Sequence, residues 1–242
     1  MAISSFLTED RVSMSAAVWA VISVLLAVIF GVVGGVLVAY AQLLAGTTFG
    51  LLAVVLGIVA GVLQLIVLYQ WSKVINQNIN HTKAVFSHIK DRLEDPLRGE
   101  IGFFLNRLEE FLVPTWPFWG YLLFFIISIF TGWFYFLFGL VGFIFLAIYL
   151  GSIFRSTNKV SDLKEKLYDY LEQRGTVKLE RRVFRIPGRS LFLFIVLSLI
   201  TFTIYWLYLL VKLTGEINQY VSQDEQVRVE IEQAFAQTFP QS

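Results

Sequence analysis

Three long stretches of the chain carry no charge: Ser15–Ser72, Pro117–Phe154 and Ser190–Val211. All 19 Lys and Arg and all 18 Asp and Glu lie outside them. A helix needs about 20 apolar residues to cross the hydrocarbon of a bilayer. A soluble fold would need charges at short intervals along its water-facing sides, because ordinary domains carry about 25% charged residues. This chain is 57% hydrophobic and 15% charged, with a mean hydropathy of +0.69. The blocks therefore read as membrane helices and the class as an all-α polytopic membrane protein.

The pattern inside the blocks suggests a repeat. Pro117–Phe138 and Pro187–Tyr208 align at a shift of 70 positions with seven identities in 22, including Pro117/Pro187, Ser128/Ser198, Thr131/Thr201 and Tyr135/Tyr205. The polar stretches after the blocks also align. Asn80, Asn158 and Asn218 are followed nine residues on by Ile89, Leu167 and Val227, and fourteen on by Glu94, Glu172 and Glu232. The expected architecture is three tandem units, each a membrane hairpin followed by an amphipathic exit helix.

In order, residues 1–14 form a polar leader and 15–94 the first hairpin and exit helix, with spans at Ala16–Leu44 and Gly50–Trp71 around a loop at Ala45–Thr48. Ala39-Tyr40-Ala41 looks like a signal cleavage site, but the apolar stretch before it exceeds the usual 7–15 residues or so, and Glu9, Asp10 and Arg11 make the leader non-basic. The first block reads as a retained helix. Residues 95–116 form an amphipathic helix with Ile101, Phe104, Leu105, Leu108, Phe111 and Leu112 at helical spacing. It suits a bilayer surface or a neighbouring soluble helix, with its length and Phe content favouring the surface.

Residues 117–174 hold the second hairpin and exit helix. As one helix, Pro117–Phe154 would be about 57 Å long, too long for one crossing. It turns at Thr131-Gly132 or between Gly139 and Gly142. A basic linker, 175–189, includes a stretch, Thr176–Ile186, that alternates like a short strand. Residues 190–242 form the third segment, re-entrant or single-span, and a C-terminal helix. Equivalence of the units favours a turn inside Leu191–Val211. The section Arg155–Arg189 carries ten Lys or Arg against five acids, which orients the polar segments toward the cytoplasm of a multi-pass cell-membrane protein.

Several residues are candidates for interaction. Gly31, Gly35, Gly57 and Gly61 are spaced for close helix packing in lipid. Lys178, Arg181, Arg182, Arg185 and Arg189 form the densest basic cluster, suited to anionic lipid headgroups or to orientation alone. Ser128, Thr131, Ser198, Thr201 and Thr203 are the hydroxyls that would line a polar path. Trp71, Trp116, Trp119, Trp133 and Trp206 fall near block ends, as in an interfacial aromatic belt.

Signals for chemistry are sparse. The blocks contain no ionisable side chain of the kind that marks proton relays or ion paths. His81 and His88 share a helix face without a third ligand, so no metal site is expected, and with no Cys there is neither thiolate nor disulfide. No catalytic residue and no cofactor is assigned, and the net charge of +1 suggests no nucleic-acid partner.

From Ser198 through Thr201, Tyr205, Trp206 and Tyr208 to Lys212, Glu216 and Asn218, the sequence resembles a small prokaryotic membrane family of unknown function. That family's pattern is Leu-Ser-Ile-Ile-Thr-x-Gly-Ile-Tyr-x-x-Tyr-Trp-x-Tyr, followed by a polar helix with Glu-x-Asn; this chain departs from it at Thr203. The resemblance implies a membrane architecture and no catalytic residues. The expected function is a non-enzymatic accessory, scaffold or membrane-organising protein. It would partner lipid, anionic lipid, and other membrane subunits or copies of itself. The alternatives are a small oligomeric channel or carrier, and a quinone- or pigment-binding subunit.

Overall fold

The computed structural model describes residues 8–91, 93, 95–130, 135–174, 184–201 and 204–238, with no account of side chains at 128–130, 135–136 and 238. The described residues are all-helical, with no strand among them. The helices are α1 (Met14–Ala39), α2 (Leu43–Lys90), α3 (Leu97–Glu109), α4 (Trp116–Phe130), α5 (Tyr135–Gln173), α6 (Leu191–Ile200) and α7 (Ile204–Thr238). Met14–Ala39, Leu43–Lys90 and Leu137–Gln173 are long and apolar enough to cross a membrane. Most of what segment 176–186 was expected to form lies outside the described residues.

Ser13 caps α1 by accepting from the Ala16 amide at 3.2 Å. The turn to α2 comes at Tyr40–Gln42, with Ala41 at φ 60°, earlier than the expected loop at Ala45–Thr48. Thr47 and Thr48 lie inside α2, where their hydroxyls donate backward to Leu43 O and Leu44 O, both at 2.9 Å. The 48 residues of α2 run unbroken for about 72 Å, from the apolar hairpin into the polar half of the molecule.

The close approach within this hairpin is not made by the predicted glycines. A Cβ on Gly34 would lie 2.9 Å from Gly46 O, and one on Gly46 would lie 2.5 Å from Val38 Cγ2. Gly31 faces Ala53 instead, and nothing lies within 4 Å of where a Cβ would stand on Gly35 or Gly57. The tight turn sets the register: residue numbers facing across the hairpin sum to about 80–84, which pairs Gly31 with Ala53 rather than Gly57. Gly57 and Gly61 instead line a groove toward Tyr121 and Phe125 of α4.

Two more hairpins follow. In α4 and α5, Phe124 stacks on Phe145 at 5.5 Å and Trp116 meets the same ring at 6.0 Å. Of the two expected turns in this block, Thr131-Gly132 lies outside the described residues, and Gly139 and Gly142 are inside α5. In α6 and α7, Phe194 lies 5.8 Å from Trp206, so the chain has reversed within a dozen residues. Thr201 makes that reversal. Its hydroxyl donates to Leu197 O at 2.7 Å, ending α6, and accepts from Tyr205 N at 3.0 Å, starting α7.

Beyond their apolar parts, α2, α5 and α7 converge into a polar-ended stalk. Trp71 shows what holds them: fully buried, it donates to Thr214 Oγ1 of α7 at 2.9 Å, so it is an interhelix bolt rather than part of an interfacial belt. Trp206 donates to Gln64 of α2 at 2.8 Å, while Trp116 and Trp119 are exposed. The apolar stripe of α3, Ile101, Leu105 and Leu108, is buried, and α3 packs on α2 and α5. The first hairpin by contrast exposes Trp19, Val28, Val32, Leu51, Ile58 and Val62. Water does not tolerate a continuous apolar surface of that extent, whereas lipid matches it.

The hairpin register is open to test in this Cys-free chain. A Cβ on Gly31 would stand 3.8 Å from Ala53 Cβ, inside the range of about 3.5–4.5 Å that a disulfide requires. Gly31→Cys with Ala53→Cys is expected to cross-link on mild oxidation, and Gly31→Cys with Gly57→Cys is not. The reverse pattern on a non-reducing gel would overturn the register.

Candidate functional site

The stalk interior is held by charge. Lys164 of α5 donates to Asp224 Oδ2 of α7 at 2.8 Å and to Asn78 Oδ1 of α2 at 2.7 Å. Asn78 donates to the same Asp224 oxygen at 2.8 Å, and Tyr168 donates to the other at 2.8 Å. One turn further along α7, Arg228 donates to Asn78 O and Thr82 Oγ1, both at 3.0 Å, and pairs with Glu9 of the leader. The side chains of Lys164, Asp224 and Glu9 are fully buried and that of Arg228 nearly so. The formal charges cancel: two cations, Lys164 and Arg228, against two carboxylates, Asp224 and Glu9.

Burial dominates the titration of these groups. It pushes the Lys164 ammonium down to about 8, against the pull of Asp224. It pushes the Asp224 carboxyl up, but the combined pull of Lys164 and Arg228 is greater and holds Asp224 below the usual carboxylate range. Burial also raises the Tyr168 and Tyr220 phenols well above their ordinary value, so both stay protonated. The Lys164 ammonium sits 5.6 Å over the Tyr220 ring.

A second layer of polar contacts ties each hairpin's lead-in segment to the stalk. Asn218 of α7 takes both backbone groups of Val12, accepting from its N–H and donating to its carbonyl at 2.8 Å each. Asn76 of α2 does the same to Val113, at 2.7 and 2.9 Å. Asn158 of α5 lies against the third lead-in, where a Cβ on Gly188 would be 3.2 Å from its Nδ2. Each lead-in also bonds the next helix round: Ser13 N to Gln70 of α2, Ser156 of α5 to Phe111 O, and Phe184 N to Gln223 of α7. Helix and lead-in thus alternate around a closed ring, with Val12, Val113 and Ile186 buried at matching points.

The three stalk helices share one burial register. Trp71, Val74, Ile75, Asn78, Ile79, Thr82, Val85, Phe86 and Ile89 are buried; adding 82 gives nine buried residues of α5, from Ile153 to Leu171, and adding a further 60 gives nine of α7, from Leu213 to Ile231. This corrects the sequence alignment at its first member. Asn76, not the exposed Asn80, corresponds to Asn158 and Asn218. Four residues turn a helix by about 400°, so a slip of one turn keeps nearly the same face and the apolar matches survive it.

Other expected site residues are placed as follows. Lys178, Arg181 and Arg182 lie outside the described residues, as do Thr131, Trp133 and Thr203; Ser128 lies in α4. Arg185 reaches Asp162 at 3.3 Å and Arg189 pairs with Glu216, so both are engaged within the protein. Ser198 Oγ is buried without a hydrogen-bond partner and Thr201 serves the α6–α7 turn. His81 Nδ1 lies 3.2 Å from Glu9, and no group of three His, Asp or Glu among the described residues is placed to hold a metal.

The cluster itself was missed. Its signal was present: Lys164 falls on the same face as Val160, Leu167 and Leu171, and Asp224 and Arg228 fall on that of Val221, Val227 and Ile231. Charges at apolar-face positions are rarely left buried unless paired.

Residues 189–237 match a family model described as a domain of unknown function, DUF4234. The match spans α6 and α7, the region where the sequence resembles an uncharacterised family, and it covers less than half of the chain. No curated protein and no solved structure matches.

Removing one member of a neutral buried cluster leaves an uncompensated charge, at a cost of about 3–5 kcal/mol. Asp224→Asn is expected to lower unfolding stability in detergent by that order, whereas Asp162→Asn, at an exposed pair, should cost at most about 1 kcal/mol. Equal, small effects would show that the cluster is not dry. The Lys164 ammonium adds a pH signature. Between about 8 and the ordinary Lys value of 10.5, the unfolded chain holds this proton and the folded one does not. Its contribution to stability therefore rises with pH across that window. Lys164→Met should flatten the slope relative to wild type; an unchanged slope would refute the assignment.

Proposed function

We propose that the chain is an integral membrane protein that organises the bilayer without catalysis. Its three hairpins enter lipid from one face and hang from a single cytoplasmic stalk. The matching burial register and the Asn76, Asn158 and Asn218 positions support reading it as three units of one repeat. On this reading the third hairpin is re-entrant, and the C-terminal helix returns to the side of the other two.

The observation that carries the proposal is the unequal length of the helices that lead into the three hairpins. By helix rise, α1 is about 39 Å long, α4 about 22 Å and α6 about 15 Å. The hydrocarbon is about 30 Å thick. The first hairpin reaches across, while the second and third fill mainly the leaflet next to the stalk. Extra helix volume in one leaflet expands that leaflet relative to the other and favours curvature toward the stalk side. Basic residues of the linker, with Lys178, Arg181 and Arg182 among them, would add attraction to anionic headgroups.

Reconstitution of the purified protein into unilamellar vesicles tests this. The expected result is narrowing or tubulation at high protein density with the entrapped solute retained. Selective flux without a shape change would overturn it in favour of a channel. Sidedness is tested separately with Ser87→Cys on the stalk and Ser242→Cys at the far end of the third unit. Both should react with an impermeant thiol reagent only after the cells are opened; labelling of position 242 alone in intact cells would show that the third segment crosses once.

A further inference from the structure

A groove opens at the level where α5 leaves its apolar stretch. It is about 450 Å³ in volume and is lined by Glu110, Phe111, Pro114, Ser152, Arg155 and Ser156, among others. It lies between the second lead-in and α5, with the apolar helix surface on one side and the polar stalk on the other. The corresponding groove of the first unit lies between the leader and α2 and is lined by Asp10, Lys73, Asn76 and His81, among others.

Comparing the two grooves shows what the second one lacks. Arg155 is 82 residues after Lys73, the offset that relates all nine buried positions of α2 and α5. Asp10 stands two residues before the clamped Val12, and Phe111 two before the clamped Val113. In the first groove the cation Lys73 meets the Asp10 carboxylate at 2.7 Å. In the second, the carboxylate's place is taken by Phe111, and the Arg155 guanidinium lies 5.8 Å from that ring's centroid. No carboxylate pairs with Arg155 among the described residues. Arg155 is exposed and lines the groove beside that ring, and a guanidinium presents a planar fork of N–H donors. That fork matches the oxygens of a phosphate.

We propose that this groove binds a phospholipid headgroup bearing both a phosphate and an amine, of the phosphoethanolamine type. This rests on reading the chain as membrane-embedded. Arg155 takes the phosphate, at the position where the first unit supplies its own anion. Glu110, exposed on the rim of the same groove, takes the ammonium. The hydroxyls of Ser152 and Ser156 already donate to Tyr149 O and Phe111 O, at 2.6 and 2.7 Å, so they offer acceptor oxygens and hold the lead-in in place rather than bind phosphate. The pairing of one guanidinium with one carboxylate suits a zwitterion better than a purely anionic lipid. A quaternary amine would fit less well, having no N–H to give Glu110.

The test uses the full-length protein extracted in mild detergent and exchanged into nanodiscs of equal phosphatidylethanolamine, phosphatidylglycerol and phosphatidylcholine. Native mass spectrometry then reads the lipids that remain bound after the disc is stripped. Wild type is expected to retain phosphatidylethanolamine several-fold over the other two. Arg155→Gln should lose retained phospholipid of every class about tenfold, and Glu110→Gln should keep binding but lose the preference for the amine. Lys166→Gln, at an exposed pair further along α5, should match wild type. Unchanged retention in Arg155→Gln, or an unchanged preference in Glu110→Gln, overturns the proposal. Displacement of the lipid by inorganic phosphate alone at millimolar concentration would show a free-phosphate site and overturn the headgroup assignment. Recovery of the wild-type protein in the soluble fraction before any detergent step would instead refute the membrane reading on which it rests.

Discussion

Four charged side chains meet where water does not reach, and the stalk depends on their meeting completely. Each of Lys164, Asp224, Arg228 and Glu9 would be costly to bury alone. They come from three elements, the leader, α5 and α7, and Asn78 of α2 bridges them with its carboxamide and carbonyl. A slip of α5 or α7 by a turn, which an apolar face alone would tolerate, leaves at least one charge without its partner, and a slip of α2 removes the Asn78 hydrogen bonds that bridge them. The cluster therefore does little for net stability compared with an apolar core of equal volume, but it selects one register among several.

That selection matters because of the solvent on the other side of the molecule. Between helices in lipid there is no hydrophobic driving force, since acyl chains are as apolar as Leu. The first hairpin closes on itself through small residues at Gly34 and Gly46. Its attachment to the other hairpins is made chiefly at the stalk end, by Trp71 to Thr214, Trp206 to Gln64 and the Tyr149 hydroxyl to Leu68 O at 2.5 Å. Long unbroken helices make this possible. Because α2, α5 and α7 each continue from hairpin to stalk, order set by charge in the polar half is carried mechanically into the apolar half.

The sequence made the two solvents plain, because charge segregation is a one-dimensional signal. It also pointed to a turn somewhere inside Leu191–Val211, and α6 ends within that stretch, at Ile200. It did not reveal which glycines touch, because that depends on where a three-residue turn falls, and Gly46-Thr47-Thr48 resembles a loop until the hydroxyls are seen bonding backward. Asn80 stood in for Asn76 because periodicity reports a face and not a turn. Lys164 and Asp224 give no signal one helix at a time, because each alone on an apolar face looks like an irregularity. Only three faces set side by side show that the irregularities complement one another. The groove at Arg155 was hidden for a related reason: an arginine just past an apolar block has the appearance of an orientation signal whether or not a phosphate sits on it.

The same comparison bears on how three helices with one burial register share one cluster. At the level of the cluster, the equivalent positions hold Thr82, Lys164 and Asp224, and one turn on they hold Phe86, Tyr168 and Arg228. Three copies of the third unit alone, assembled around the same axis, would bring three Asp224 carboxylates together one turn from three Arg228 guanidinium groups. Like charges packed side by side in a dry interior cannot all ionise. Three copies of the second would bury three Lys164 ammonium groups with no anion at all. Unlike residues at the matching positions place each buried charge directly beside an opposite charge or a hydrogen-bond partner. The leader completes the ring at the point where the chain cannot: Val12 clamped by Asn218 and Glu9 paired with Arg228 connect the first unit back to the last.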